Sequence, residues 1–278
     1  MNKCLPILVS LCAALSTAHA DPVYTTDFTS AQGFSAGNLD GQNGWALQAF
    51  AQVDPSFSGT VSSIGGPFDR NHYTTGFKGN AAGGAPVAGD FNVGDEIGIT
   101  VDYQFTLPSF GNFGAAQFGI KDTDASTAPQ QGFKVEYNDF STGTVKFFPD
   151  RNDSANGDGL LVSASLLGID NTAADLISDR MRISWYAAYA GGSSWTVTGL
   201  SVLNLDTSFA YTYTGPTQTF TYSAGDAFYT QQLALNGNAG FTGTLDAVSL
   251  ELNVVPEPGT LALFGLGTLV LGMFRRRR

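Results

Sequence analysis

Between Asp21 and Asn253 few side chains are equipped for chemistry: three glutamates (Glu96, Glu136, Glu251), one histidine (His72), and aspartates scattered among asparagine, serine and glycine. Acyl-transfer catalysis needs a histidine held by a carboxylate and touching a nucleophile. His72 lies in DRNHYTTG with Asp69 nearby, and no strained Gly-x-Ser-x-Gly elbow is read in the chain. It is read as a loop or edge-strand histidine. Both cysteines, Cys4 and Cys12, precede Asp21. The remaining chain therefore has no thiolate, no disulfide and no His-rich zinc site.

Calcium is the metal that the letters raise. In DRNDSANGDG, Asp150–Gly159, oxygen-bearing side chains alternate at Asp150, Asn152 and Ser154, as in calcium loops. The sixth position holds Ala155 rather than glycine, and the twelfth holds Leu161 rather than glutamate. A register starting at Asn152 recovers Gly157 at six but puts Ser163 at twelve. The stretch is no EF-hand. Asn-Gly and Asp-Gly serve equally well as a hairpin loop needing positive φ. Asp150, Asn152 and Asp158 stand as weak calcium candidates, Asp122 and Asp124 as weaker ones, and otherwise no metal or cofactor is expected. Sugar binding uses exposed aromatic faces beside polar groups. Tyr186, Tyr211, Tyr213 and Tyr222 are the candidates, against the structural role that aromatics usually take in a sandwich.

These residues sit on strands. IGITVDYQFTL alternates Ile97, Ile99, Val101, Tyr103, Phe105 and Leu107 with Thr100, Asp102, Gln104 and Thr106. Period two marks a half-buried strand. GFKVEYND and TGTVKFF form an expected hairpin. MRISWYAAY puts Met181, Ile183, Trp185, Ala187 and Tyr189 on one face. SWTVTGLSVLN changes phase at Gly199, where a β-bulge is expected. LDAVSLELNV sets Val248, Leu250, Leu252 and Val254 inward. One short helix is expected near 172–177. Short strands with turn-rich links predict an all-β, antiparallel jelly-roll β-sandwich over residues 21–253 as one domain.

The chain has 13 basic and 24 acidic residues. Setting aside Lys3, the four terminal arginines and Glu257 leaves 8 basic and 23 acidic, a net charge of −15. Such a body repels nucleic acid and anionic lipid. Solubility explains the acidity; weak cation binding is the second reading.

The stretch DFTSAQGFSAGNLDGQNGW carries Gly37, Leu39, Gly41, Gln42, Gly44 and Trp45. It resembles the opening turn of concanavalin-A-like (laminin-G-like) jelly rolls. DRMRISWYAAYAGGSSWTVT is similar to the long hairpin of that fold, and FTGTLDAVSLEL to its closing strand. The resemblance implies a fold that hosts lectins, glycosidases and inert modules alike. Jelly-roll glucanases place their carboxylates on one strand as E-x-D-x-x-E, about 5–9 Å apart in space. Glu96 opens EIGITVD and Glu136 opens EYNDF, so that catalytic strand is missing and no enzyme is expected.

The ends read as addresses. Residues 1–20 combine Lys3, an apolar run, and Ala18-His19-Ala20 before Asp21, the pattern of a secretory signal peptide cut after Ala20. After Asn253 come Val255-Pro256-Glu257-Pro258, an uncharged stretch over residues 260–274, and Arg275, Arg276, Arg277 and Arg278. As a helix the stretch spans about 22 Å at ~1.5 Å per residue, short for a bilayer core of ~30 Å. The arginines hold the end cytoplasmic and leave the body outside.

This order over residues 254–278 resembles the PEP-CTERM sorting signal of Gram-negative bacteria. That resemblance implies recognition by an exosortase, a transient hold in the inner membrane, and release to the cell surface or matrix beside exopolysaccharide or biofilm. The expected function is a non-catalytic, exosortase-sorted surface or matrix protein. A lectin-like module that binds glycan, with or without calcium, is the alternative, and a glycoside hydrolase comes behind it.

Overall fold

A computed structural model describes residues 21–39, 41–47, 51–54, 60–63, 68–74, 91–106, 114–121, 131–138, 143–150, 159–169, 177–192, 194–221, 227–234 and 242–253. Its strands are β1 (Asp21–Thr26), β2 (Gly37–Asn38), β3 (Trp45–Leu47), β4 (Ala51–Asp54), β5 (Thr60–Ser63), β6 (Phe68–Thr74), β7 (Glu96–Thr106), β8 (Gly114–Lys121), β9 (Gln131–Asn138), β10 (Thr144–Phe148), β11 (Leu160–Ser163), β12 (Met181–Gly191), β13 (Ser194–Asn204), β14 (Ala210–Thr212), β15 (Thr219–Thr221), β16 (Ala227–Ala234) and β17 (Thr242–Asn253).

They form two antiparallel sheets. The ten-stranded sheet runs β14-β13-β12-β7-β17-β5-β4-β2, with β1 along β17 and β15 along β13. The seven-stranded sheet runs β11-β10-β9-β8-β16-β6-β3. Among the described strands the chain changes sheet eight times, among them from β6 to β7, β7 to β8 and β16 to β17. β17 lies between β5 and β7 in one sheet, and β16 between β6 and β8 in the other. That nested wrap is what a jelly roll requires.

Alternation explains the layering. On β7, Ile97, Ile99, Val101, Tyr103 and Phe105 are buried, and on β12 Met181, Ile183, Trp185, Ala187 and Tyr189 match them. The other sheet returns Phe118, Ile120, Phe133, Val135, Tyr137 and Phe147 to the same core. Phe118 stacks on Phe133 with ring centres 5.1 Å apart, and Tyr103 meets Phe118 edge-on at 5.1 Å. Such pairs add to the burial of each ring. The β9–β10 hairpin has the expected pairing, Val145 opposite Tyr137 and Phe147 opposite Val135.

Among the described residues four register shifts retune the ten-stranded sheet, and two of them bear on its outer face. Tyr186 opposes Gly199 while Ala187 opposes Val197, so Thr198 is the extra residue. The phase change read at Gly199 is this bulge. On β17, Leu245 opposes Tyr103 while Ala247 opposes Asp102, leaving Asp246 extra. The sequence reading missed this second bulge because it began its inward series only at Val248.

The glycine-rich opening turn is a stapled plug. Leu39 and Trp45 are buried, and Trp45 Nε1 donates to the Tyr24 hydroxyl at 2.9 Å. Gln42 accepts from the Ser35 amide at 2.8 Å and donates to the carbonyls of Ser35 and Asn38 at 3.0 and 2.6 Å. Gly41 and Gly44 have φ of 77° and 86°, which side chains disfavour. The expected helix near 172–177 lies outside the described residues except Ile177, an exposed residue in an isolated bridge. A 3-10 turn at Ala164–Leu167 lies ahead of that stretch.

Candidate functional site

The outer face of β12, β7 and β17 carries the side chains that alternation turns away from the core, arranged in rows by the pairing register. One row runs Gly199, Tyr186, Gly98, Glu251, the next Ser201, Ser184, Thr100, Ser249, and the third Leu203, Arg182, Asp102, Ala247. Short side chains make a floor and longer ones stand at both ends. The result is a groove of about 560 Å³, within the size range of small-molecule sites.

At one end, Arg182 donates from Nε and Nη2 to both oxygens of Asp102, each at 2.7 Å. This two-pronged pair, with Asp102 buried, raises the Arg182 pKa, the hydrogen bond outweighing the partial burial. In the middle, Thr100 donates to Ser184 at 3.0 Å. One side is walled by the end of β1, where Thr26 and the Asp27 amide both reach Gln32 Oε1 at 2.9 Å.

Tyr186 occupies the other end. Its in-register neighbours are both glycines, Gly98 and Gly199, so no side chain lifts the ring off the strands. A Cβ on Gly98 would come within 2.7 Å of Tyr186 Cε1. The Tyr186 hydroxyl points to Glu251 Oε2 at 3.4 Å, and Ser249 donates to Glu251 Oε1 at 3.3 Å. Thr198, the bulge residue, donates to Glu96 Oε2 at 2.5 Å. Partial burial, then Glu251, with a smaller push from Glu96, raises the Tyr186 pKa against the opposing effect of the Thr100 hydroxyl. Half-buried Tyr186 stays a neutral hydroxyl beside the Glu251 carboxylate. The arrangement offers an aromatic ring, a line of hydroxyls and acceptor oxygens, which suits hydrogen bonding to a polyhydroxylated ligand.

A second polar cluster lies on the outer face of the seven-stranded sheet. Lys134 and Glu136, 5% and 8% exposed, pair at 2.8 Å, and Lys134 Nζ sits 4.4 Å from the Phe148 ring centre. Gln117, opposite Lys134 in register, buries its Oε1 without a hydrogen-bond partner among the described residues.

The candidates read from sequence separate. Tyr186 is in the groove and Glu251 joins it there, while Glu96 stands beyond the groove lining, opposite Ala188 in register. Glu136 belongs to the other sheet. Tyr211 and Tyr213 pack against the core, Tyr213 donating to the Pro216 carbonyl at 3.1 Å. Tyr222, Asp122, Asp124, Asn152 and Asp158 lie outside the described residues. Asp150 is half-buried just beyond β10, next to Pro149, whose carbonyl accepts from Trp185 Nε1 at 2.8 Å. Among the described residues no group of three or more His, Asp or Glu side chains is placed to hold a metal ion. Backbone pairing sets His72 between Ala46 and Tyr229.

Gly33-Phe34-Ser35-Ala36-Gly37 does spell Gly-x-Ser-x-Gly, a pattern the sequence reading passed over. It is no nucleophile elbow. It follows a 3-10 turn and leads into the two-residue β2, whereas an elbow joins a strand to a helix. Ser35 is bound to Gln42. Sequence reasoning also missed the Asp102–Arg182 pair and the role of Gly98. The visible signal was a glycine breaking the polar face of EIGITVD.

Residues 254–278 match the family model described as the PEP-CTERM protein-sorting motif. The chain carries a PEP-CTERM sorting motif. The motif implies exosortase-dependent sorting to the cell envelope or surface. Residues 254–278 and residues 1–20 lie outside the described part of the structure; of the expected cleavage residues Ala18, Ala20 and Asp21, Asp21 is described, at the start of β1. Among the described residues no helix is long and apolar enough to cross a membrane. No curated protein matches the chain in sequence. Solved structures similar to it include lectin II from Ulex europaeus, 9% identical over 83% of this chain and 98% of that one, TM-score 0.46. Arcelin-5, a lectin-like defense protein from Phaseolus vulgaris, is 8% identical over 84% and 98%, TM-score 0.46. The CBM2 module of the evolved Dit of Lactobacillus casei BL23 phage J-1 is 11% identical over 85% and 98%, TM-score 0.41.

Proposed function

We propose that this is an exported, exosortase-processed carbohydrate-binding protein of the cell surface or matrix, without catalytic activity of its own. Residues 1–20 act as leader, residues 21–253 as one binding domain, and Val255, Pro256, Glu257 and Pro258 as the recognition segment for the exosortase. The helix over 260–274 and the arginines at 275–278 hold the precursor in the inner membrane until it is cut. Exopolysaccharide is the ligand pool that this route makes available.

The observation that carries the binding reading is Tyr186 laid over Gly98 at the end of a hydroxyl-lined groove. A ring against the sheet on one side can receive the apolar face of a sugar on the other. Thr100, Ser184, Ser249 and Glu251 supply donors and acceptors within the same groove. Asp102 is already committed to Arg182, which favours binding over hydrolysis.

The test is a glycan array probed with the full chain and with Tyr186→Ala. Binding to a defined glycan set that Tyr186→Ala removes while thermal unfolding is unchanged supports the reading. Silence of the native chain across neutral, amine-bearing and acidic glycans sinks it.

A further inference from the structure

The charges around Tyr186 are one-sided. Glu251 and Glu96 both act on its hydroxyl. Among the described residues lining the groove, Arg182 is the one cation, and Asp102 takes both prongs of its guanidinium. Among the described residues Glu251 accepts two long hydrogen bonds, at 3.3 and 3.4 Å, although a carboxylate offers about four lone-pair sites. Acceptor capacity and negative charge are thus left over beside an aromatic ring. An ammonium group satisfies both, through a charge-assisted hydrogen bond and attraction to the ring face. A carboxylated or sulfated sugar meets repulsion at the same place.

Building on the carbohydrate reading, we infer that the groove selects amine-bearing sugars, the deacetylated hexosamine class, with Glu251 as counter-ion, Tyr186 as platform and Glu96 as a second source of negative field. The neutral hydroxyl rows of Thr100, Ser184 and Ser249 give the basal affinity for any hexose oligomer. Glu251 and Glu96 give the preference.

The full chain, purified in detergent, is titrated calorimetrically with four probes: a β-1,4-glucosamine hexamer, the matching N-acetylglucosamine hexamer, a galacturonate hexamer and a lysine hexapeptide. The amine hexamer is expected to bind about tenfold tighter than its acetylated partner, as one charged hydrogen bond allows, with no uronate binding. Glu251→Gln should bring the amine and acetyl hexamers within about twofold while acetyl binding persists. Glu96→Gln should narrow the gap less, and it carries the test if Glu251→Gln does not fold. Equal affinity of the native chain for the amine and acetyl hexamers overturns the amine preference and leaves carbohydrate binding standing. A lysine peptide that binds as well as the amine hexamer overturns the commitment to a sugar. Failure of all the sugar hexamers overturns the groove reading itself.

Discussion

Tyr186 fills the space that a side chain at Gly98 would occupy. The ring comes so near that an added Cβ would lie 2.7 and 2.9 Å from Cε1 and Cδ1, and 3.2 Å from the Cβ of Glu251. Gly98 is therefore part of the platform, although it has no functional group. Gly98→Ala should lift or turn the ring. Overpacking costs about 1–3 kcal/mol where nothing can move; a half-exposed ring can move, so unfolding stability should fall at the low end of that range. Glycan affinity should drop about fivefold, matching roughly 1 kcal/mol of aromatic contact. Paired titration and thermal unfolding separate the two effects. An unchanged affinity would show that the ring does not bear on the ligand.

Gly132 is the contrast. A Cβ there would meet the Phe118 carbonyl oxygen at 1.9 Å and Gly119 Cα at 2.4 Å. These are backbone atoms of the paired strand β8, so no rotamer change relieves them. Gly132→Ala should disrupt the β8–β9 pairing and lower the unfolding midpoint far more than Gly98→Ala. Equal midpoints for the two variants would contradict the packing described between these strands.

The Lys134–Glu136 pair gives a third expectation. Both groups are almost wholly buried, so removing one charge strands the other. Glu136→Gln should cost about 3–5 kcal/mol. Replacing the pair together, as Lys134→Met with Glu136→Leu, should cost much less, because apolar residues of similar volume lose no desolvation energy. Urea unfolding of the single and double variants measures the coupling. A double variant as unstable as the single one would mean that the pair holds the sheet by more than its charges.

How far the sequence reveals this molecule depends on what each feature requires. Alternation alone located β7, β12, β13 and β17, because period two records which face meets the core. The Gly199 bulge was legible for the same reason, as a break in that period. Tyr186 emerged as a candidate because it lies out of phase with Trp185. The groove around it was not legible. Glu251 and Asp102 reach it through pairings with partners more than a hundred residues away in one case and eighty in the other, and register between distant strands leaves no local trace. The sorting motif is the opposite case. Pro-Glu-Pro, apolar stretch and arginines are contiguous, so the motif can be read without any fold.

That motif carries its own prediction. Changing Pro256, Glu257 and Pro258 together to alanine should leave an uncut precursor in the membrane fraction. Immunoblots of membrane, surface and medium fractions report it. Normal processing of the triple variant would dismiss the exosortase route, while glycan binding by the body should be unaffected.

The bulge on β17 sets the last expectation. Asp246 is the extra residue, and its buried Oδ1 has no hydrogen-bond partner among the described residues. Burial, with a smaller push from Asp102, raises its pKa above the ordinary 3.8 against the pull of Arg180. The folded state therefore holds the proton more tightly than the unfolded chain does. For an acid shifted upward, the stability contribution is complete below the unfolded pKa and is lost as pH rises through the folded one. At neutral pH the Asp246 charge works against the fold. Asp246→Asn removes the charge and keeps the shape, so it should be more stable than the native chain at pH 7. The gain should shrink as pH falls past the raised pKa and vanish once the native carboxyl is protonated. Asp206 has the opposite sign. Hydrogen bonds from the Arg180 amide and side chain lower its pKa, so its contribution is lost only in acid. That loss is common to both proteins and cancels in their difference. Urea unfolding of the native and Asp246→Asn chains from pH 7 to pH 3 measures it. A difference that is constant with pH, or that grows in acid, would mean that the bulge carboxylate is stabilised in the fold after all.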